Sequence, residues 1–328
     1  MIVVHLKHTN YREVLASISE QLHLHLTDDV LHLPPDIADG YFRVVELPNG
    51  LQALISDLHY HVDITFKREK SDEYFCILHF NDAELSDSLH FLYNGKQLLD
   101  KATRRAGVTL SSSANDMSFT VKGNTKAKSI NILLPGRWIN DNLNRYNELQ
   151  VLSRYNAMRN TLVHPEPFDA QNRILFDEVF QTGEANPLQS MIVKNRIMLL
   201  LEHFLSKIYR KMQDEPTQPP RKIKASDMGK LMEIESLLVR DFGQPPPTIA
   251  LLAEKSGMSV SKLKSAFKRV YGTGIYEYYQ KNRMQKARSM LLTGQYNVKE
   301  VGTQLGYSNL SNFSLAFKKE FNILPSQV

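Results

Sequence analysis

Two stretches of this chain repeat a set of hydrogen-bonding and cationic side chains. Residues 257–272 read GMSVSKLKSAFKRVYG, and residues 306–322 read GYSNLSNFSLAFKKEFN. Serine hydroxyls and asparagine amides both donate and accept hydrogen bonds, and lysine carries a positive charge. Set along a helix, such groups can meet base edges and phosphates in a DNA groove. The candidates are Ser259, Ser261, Lys262, Lys264, Ser265 and Lys268 in the first stretch. Ser308, Asn309, Ser311, Asn312, Ser314, Leu315 and Lys318 stand in the second, and Arg283 lies between the two.

The spacing of their apolar neighbours predicts how they are held. Ile249, Leu252, Ala253 and Gly257 match Val298, Val301, Gly302 and Gly306 at an offset of 49. Leu263, Phe267, Lys268 and Tyr271 match Phe313, Phe317, Lys318 and Phe321 at an offset of 50, so one residue is inserted after Ser308. Each copy reads as helix, tight turn, helix. Gly257 and Gly306 can close the first helix in the left-handed conformation, and Ser259 and Ser308 can cap the second. Ala253 and Gly302 are small where two helices would cross. This is the helix-turn-helix pattern, whose second helix enters the major groove. At 100° per residue, a buried stripe of Leu263, Phe267 and Val270 leaves Ser261, Ser265, Lys268 and Gly272 facing outward. In the second copy Phe313 and Phe317 turn inward and Ser311, Leu315 and Lys318 outward. The alternative for Leu315 is burial against a neighbouring helix. Arg283 and the capping serines are candidates for phosphate contacts, because helix N-termini attract anions; the alternative for Arg283 is an internal salt bridge.

Charge agrees with a polyanionic partner. Residues 221–328 hold 17 Lys and Arg against 8 Asp and Glu, a net +9, whereas the remaining 23 against 27 give −4. Such a charge favours nucleic acid through long-range attraction and counterion release.

Residues 227–326 resemble the DNA-binding domain of the AraC/XylS family of bacterial transcription regulators. The stretches that carry the resemblance are IALLAEKSGMSVSKLKSAFKR, YYQKNRMQKARSMLL and VKEVGTQLGYSNLSNFSLAFKKEFNILPSQ. The middle one is similar to the family's linking helix, with Arg283-Met284, Ala287 and Leu291-Leu292 in register. The resemblance implies a sequence-specific regulator whose base-contacting positions fall near 261 and 265 and near 311 and 315. It depends on a linking helix of about residues 275–292, roughly 27 Å long at 1.5 Å per residue. Major-groove segments on one face of DNA lie roughly 34 Å apart, so one chain can read two of them.

Two departures stand out. Many family members carry Arg at the positions of Ser265 and Leu315, so the bidentate Arg–guanine contact is absent there. Recognition is expected to lean on DNA shape, on serine hydroxyls and on contact between Leu315 and a thymine methyl. The sequence also ends at Val328, where the family continues with an aromatic residue and an Arg, and a phosphate contact is expected to be lost with them.

Ahead of this region the pattern predicts a multidomain α+β chain. Residues 1–144 read as a β domain, a sandwich or barrel, with short β-branched or aromatic runs separated by turns such as Pro48-Asn49-Gly50 and Lys122-Gly123-Asn124; with its helical tail it resembles the family's sensor-plus-dimerisation half, which implies a ligand-sensing role. A helix is predicted over TNYREVLASISEQL. Residues 145–212 read as a helical dimerisation region: the helix around Met198–Leu205 is apolar on more than one side, so that one side can cover the β domain and the other meet a second copy of the chain, the alternative being burial within a single chain. Residues 213–222 form a proline-rich linker, and residues 223–328 the all-α DNA-binding domain. The expected partners are double-stranded DNA, a second copy of the chain, a small-molecule effector of unknown identity and, as a candidate, RNA polymerase. The effector pocket is not legible in the sequence, although Tyr41, Phe42, Tyr60, Phe66, Tyr74, Phe80 and Trp138 are aromatic candidates.

Other chemistries find little support. Hydrophobic content of 42% and charged content of 23% are those of a soluble protein, and the start MIVVHLKHTN carries no pattern of a secretion signal. A single cysteine, Cys76, excludes internal disulfides and suits a reducing cytoplasm. Some proteins with this DNA-binding domain carry a cysteine-based DNA-repair methyl acceptor, but Cys76 sits in EYFCILHF, which reads as a buried strand. His59-Tyr60-His61 resembles the His-x-His of metal-binding cupins, yet no carboxylate follows at Thr65 or Phe66. No P-loop, Gly-x-Ser-x-Gly or His-Glu-x-x-His is present. The expectation is a non-enzyme with no cofactor and no bound metal. An architectural DNA-binding protein without a sensor would leave 220 residues without a role.

Overall fold

A computed structural model describes residues 2–6, 9–84, 89–93, 96–100, 104–143, 166–181, 187–213 and 225–328. The chain clusters into two compact units. One comprises Met1–Glu166 with Val179–Ala225, and the other Pro167–Glu178 with Ser226–Val328.

The first unit is built of two sheets, and the multidomain α+β architecture expected from the sequence is present. The smaller sheet has the order β1 (Ile2–His5), β6 (Ile64–Arg68), β11 (Met117–Val121), β8 (Leu89–Tyr93), β9 (Lys96–Asp100). The larger runs β13 (Glu166–Pro167), β10 (Arg104–Ser112), β7 (Phe75–Glu84), β12 (Thr125–Pro135), β5 (Gln52–Tyr60), β4 (Ala38–Glu46), β3 (Val30–His32), β2 (Leu26–Thr27). Side chains alternate faces along a strand, so one set from each sheet turns inward. Phe42, Leu54, Phe75 and Ile77 of the larger sheet share a core with Val4, Ile64, Phe66 and Val121 of the smaller. Helix α1 (Tyr11–Gln21), capped by the Asn10 side chain, adds Tyr11, Val14, Leu15 and Ile18 to that core. The turn at Pro48-Asn49-Gly50 works as the sequence predicts, with φ of 61° at Asn49 and 75° at Gly50.

The other face of the larger sheet is also dry. Ile55, Leu78, Phe80, Ile130, Ile132 and Leu134 are fully or almost fully buried. Helices α2 (Gly136–Leu143) and α4 (Gln189–Gln213) pack on β12. Helix α4 buries the stripe Val193, Ile197, Leu200, Leu201, Phe204 and Ile208, while Met198, Leu199 and Leu205 are only half-buried and Met191 is exposed. Residues 145–165 and 182–186 of the expected helical region and residues 214–222 of the expected linker lie outside the described residues.

The second unit is all-α: α5 (Ala225–Val239), α6 (Ile249–Ser256), α7 (Val260–Tyr271), α8 (Ile275–Leu292), α9 (Val298–Gln304) and α10 (Leu310–Phe321). Pro167–Glu178, expected with the dimerisation helices, cluster here instead. That segment includes the start of α3 (Ala170–Gln181), where the buried Arg173 meets the buried Glu235 carboxylate at 3.3 Å. The Tyr278 hydroxyl bonds Glu235 at 2.9 Å and the Phe168 carbonyl at 3.2 Å. A buried ion pair is costly to strip of either partner, so these contacts hold the segment to the helical unit.

Candidate nucleic-acid interface

Two small cores, one per repeat, hold the candidate residues. Helix α8 spans both. Its first half gives Ile275, Tyr278 and Tyr279 to a core with Leu252, Leu263 and Phe267. Its second half gives Met284, Ala287 and Met290 to a core with Val301, Leu305, Phe313 and Phe317. The two second helices, α7 and α10, are therefore anchored to one continuous 18-residue rod.

In the first repeat, Thr248 caps α6 and Gly257 ends it at φ 60°. The Ser259 hydroxyl then accepts from the Lys262 amide at 3.3 Å and starts α7, as the sequence predicts. Leu263, Ala266, Phe267 and Tyr271 are buried and Val270 is half-buried. Ser261, Lys264, Ser265, Lys268 and Gly272 are exposed. Lys262 is partly committed, because its Nζ lies 3.0 Å from the Asp227 carboxylate.

The second repeat corrects one assignment. Ser308 does not cap α10; Asn309 does, its Oδ1 accepting from the Ser311 amide at 2.8 Å. The inserted residue explains the shift. Counting the cap at the offset of 50 that governs α10, Ser259 corresponds to Asn309. Gly306 has φ 72°, and a Cβ there would meet the Gly243 carbonyl oxygen at 2.7 Å. A Cβ on Gly302 would fall 2.7 Å from Leu310 Cδ2, the end of a flexible side chain, and 3.3 Å from the Phe313 ring, so α9 and α10 cross closely at this glycine. Phe313 and Phe317 are fully buried, Ser314 is half-buried, and Ser311, Asn312 and Lys318 are exposed. Leu315 is 67% exposed, which excludes its burial against a neighbouring helix.

Arg283 is the second correction. It is only 9% exposed. Its Nε donates to the Leu305 carbonyl at 2.8 Å, its Nη2 donates to the same oxygen, and the guanidinium lies over the Tyr307 ring. Neither a phosphate contact nor a salt bridge describes it. The terminal carbonyls of a helix have no intrahelical partner, and Arg283 supplies one from α8 to the end of α9.

The first unit holds a partly open cavity of about 240 Å³. Of the seven aromatic candidates, Phe42, Tyr60 and Phe66 line it. Polar groups converge there too. The Arg68 guanidinium donates to the Ser112 carbonyl at 2.9 Å, and His79 bridges Asn131 and Ser111, each at 2.8 Å. Burial pushes the His79 imidazole down to about 4, so it is neutral at pH 7. Sequence reasoning missed Arg68 and His79, since strand alternation predicts which face a residue takes but not that the face borders a void. Cys76 is fully buried beside the Tyr74 hydroxyl, and burial raises its thiol. A thiol so held keeps its proton and is a poor methyl acceptor.

A helix-turn-helix domain family model matches residues 252–328. The transcriptional regulator AlkR of Acinetobacter baylyi is 31% identical over 87 residues, 26% of this chain and 28% of its own. The regulatory protein PchR of Pseudomonas aeruginosa is 33% identical over 86 residues, with the same two coverages, so the match spans little more than a quarter of either relative. The probable transcription factor PqrA of Proteus vulgaris is 32% identical over 94 residues, and the match covers 75% of it. This chain belongs to the AraC/XylS family. The likeness to these AraC/XylS relatives covers the helical unit, and the cavity-bearing β unit lies outside it. Among the described residues no helix is long and apolar enough to cross a membrane.

Proposed function

We propose that this AraC/XylS member binds double-stranded promoter DNA and regulates transcription in the cytoplasm, with α7 and α10 reading adjacent major-groove segments. The observation that carries this reading is the placement of two short helices with exposed polar faces on the single rod α8. Residues 223–328 are the DNA-binding domain. Ser261, Ser265, Ser311 and Leu315 face the bases. Lys264, Lys268 and Lys318 meet the backbone, with Lys262, Asn309, Asn312 and Ser314 at the margins. Residues 1–144 are the sensor, and the cavity seats a small, mostly apolar effector. Residues 145–212 pair two chains, for which the half-buried Met198, Leu199 and Leu205 supply apolar surface. The effector acts by favouring one presentation of the two DNA-binding domains, which requires unequal affinity for the two arrangements. RNA polymerase is the partner through which a promoter-bound dimer changes transcription.

Binding of the full chain to duplex DNA at several salt concentrations tests this reading. Affinity should fall steeply and log-linearly with salt, since neutralising each phosphate releases condensed counterions. Absence of duplex binding at low salt would reject it. Sedimentation of the full chain tests the pairing, and a monomer at high micromolar concentration would refute that part alone.

A further inference from the structure

The His59-Tyr60-His61 run, which the sequence leaves without a carboxylate, acquires one in the fold. Strands β4 and β5 form a hairpin about Asn49, and their register sets Asp39 directly opposite His59. His61 lies one residue past β5, but its amide still donates to the Ile37 carbonyl at 2.9 Å, so the hairpin pairing extends to it. His59 and His61 are two apart and share a face, whereas the intervening Tyr60 turns to the cavity. The two imidazole rings are 4.7 Å apart, centroid to centroid. His61 Nε2 lies 2.9 Å from Asp39 Oδ2, and His59 Nε2 lies 3.3 Å from Asn124 Oδ1. One donor atom from each of Asp39, His59 and His61 falls within 4.8 Å of the other two.

We propose that Asp39, His59 and His61 form a binding site for a divalent transition-metal ion of the zinc(II) class. Two imidazoles and one carboxylate are borderline donors that suit zinc, cobalt and nickel, and three protein ligands leave a position for water. A single carboxylate is too few oxygen donors for a calcium site. Ligand atoms lie about 2.0–2.2 Å from zinc, so donors on one tetrahedral ion are roughly 3.5 Å apart. Spacings of up to 4.8 Å must therefore close by up to about 1 Å, which side chains at the surface can do by rotation. Lys126 stands across from His59 on β12 and is exposed, so its ammonium can turn into solvent. The ion would pin the end of β5 to β4 on the opposite face from Tyr60, at the wall of the cavity.

The test is titration of the metal-free full chain with Zn²⁺, followed by unfolding temperature, and with Co²⁺, followed by visible absorption. One ion per chain is expected to bind saturably, with a Co²⁺ spectrum of nitrogen and oxygen ligation and a rise in unfolding temperature. Asp39→Asn, His59→Gln and His61→Gln should each weaken binding at least about tenfold, since even the partners of metal ligands are worth about 10–100-fold. His25→Gln should bind like the parent. No saturable binding by the intact chain, or parental affinity in all three ligand variants, would overturn the site. If either histidine variant fails to fold, Asp39→Asn, at an exposed position, decides the outcome by itself.

Discussion

The guanidinium of Arg283 lies 3.8 Å from the centroid of the Tyr307 ring, and its Nε donates to the Leu305 carbonyl at 2.8 Å. These contacts tie the middle of the connecting rod to the turn of the second repeat. Arg283→Ala should therefore destabilise the helical unit by about 2–4 kcal/mol, through an orphaned carbonyl and a lost cation–π contact. Denaturant unfolding measures the loss, and DNA binding followed against salt measures the electrostatics. The salt slope of the folded fraction should stay unchanged. A slope reduced by about one unit at unchanged stability would return Arg283 to the phosphate backbone.

The exposed faces of the reading helices make separable predictions. Lys318→Ala should weaken binding to all sequences alike and lower the salt slope by about one. Ser311→Ala should relax discrimination at one or two base pairs, by about 1–3 kcal/mol for a direct hydrogen bond. Leu315→Arg should shift the selected motif toward guanine, because the side chain is already in solvent and an Arg fork fits guanine O6 and N7. Selection of binding sites by each variant provides the comparison. Phe317→Ala belongs to a different class and should cost about 3–5 kcal/mol of folding stability.

The corrected cap can be tested directly. Asn309→Ala should destabilise the helical unit by about 0.5–2 kcal/mol, whereas Ser308→Ala should leave stability within about 0.5 kcal/mol. Equal losses in chemical denaturation would contradict the assignment.

His79 predicts a pH dependence confined to the β unit. Its folded value near 4 lies below the unfolded 6.5, so the unfolded chain takes up the proton first. The neutral side chain's contribution is complete above about pH 6.5 and is lost as pH falls toward 4, on the order of 2 kcal/mol by pH 5. His79→Gln should flatten stability between pH 7 and 5 relative to the parent. Parallel curves for the two proteins would place the proton elsewhere.

Much of the helical unit was legible because local rules and tertiary packing agree there. Gly257, Ser259 and the Leu263–Phe267 stripe each have one physical reading, and the fold uses it. Ser308 and Arg283 failed for different reasons. A one-residue insertion has two equivalent placements in sequence, and only the fold shows that Asn309 takes the cap. Arg283 is an arginine in a basic region, and nothing local shows that the Leu305 carbonyl lies within its reach. Asp39 was legible in principle: it and His59 are each ten residues from Asn49, the turn that the sequence marks, so a hairpin centred there pairs them. The cavity was not legible, since Arg68, His79 and Phe42 meet only when two sheets close over one core.

Footprinting of the full chain on a selected operator tests the central claim most directly. With α7 and α10 fixed on one 18-residue rod, each chain should protect two major-groove segments about 10 bp apart on one face of the duplex. Ser265→Arg should then alter the selected bases in one segment and Leu315→Arg those in the other. A single protected segment per chain, or two substitutions that alter the same base pairs, would contradict the account.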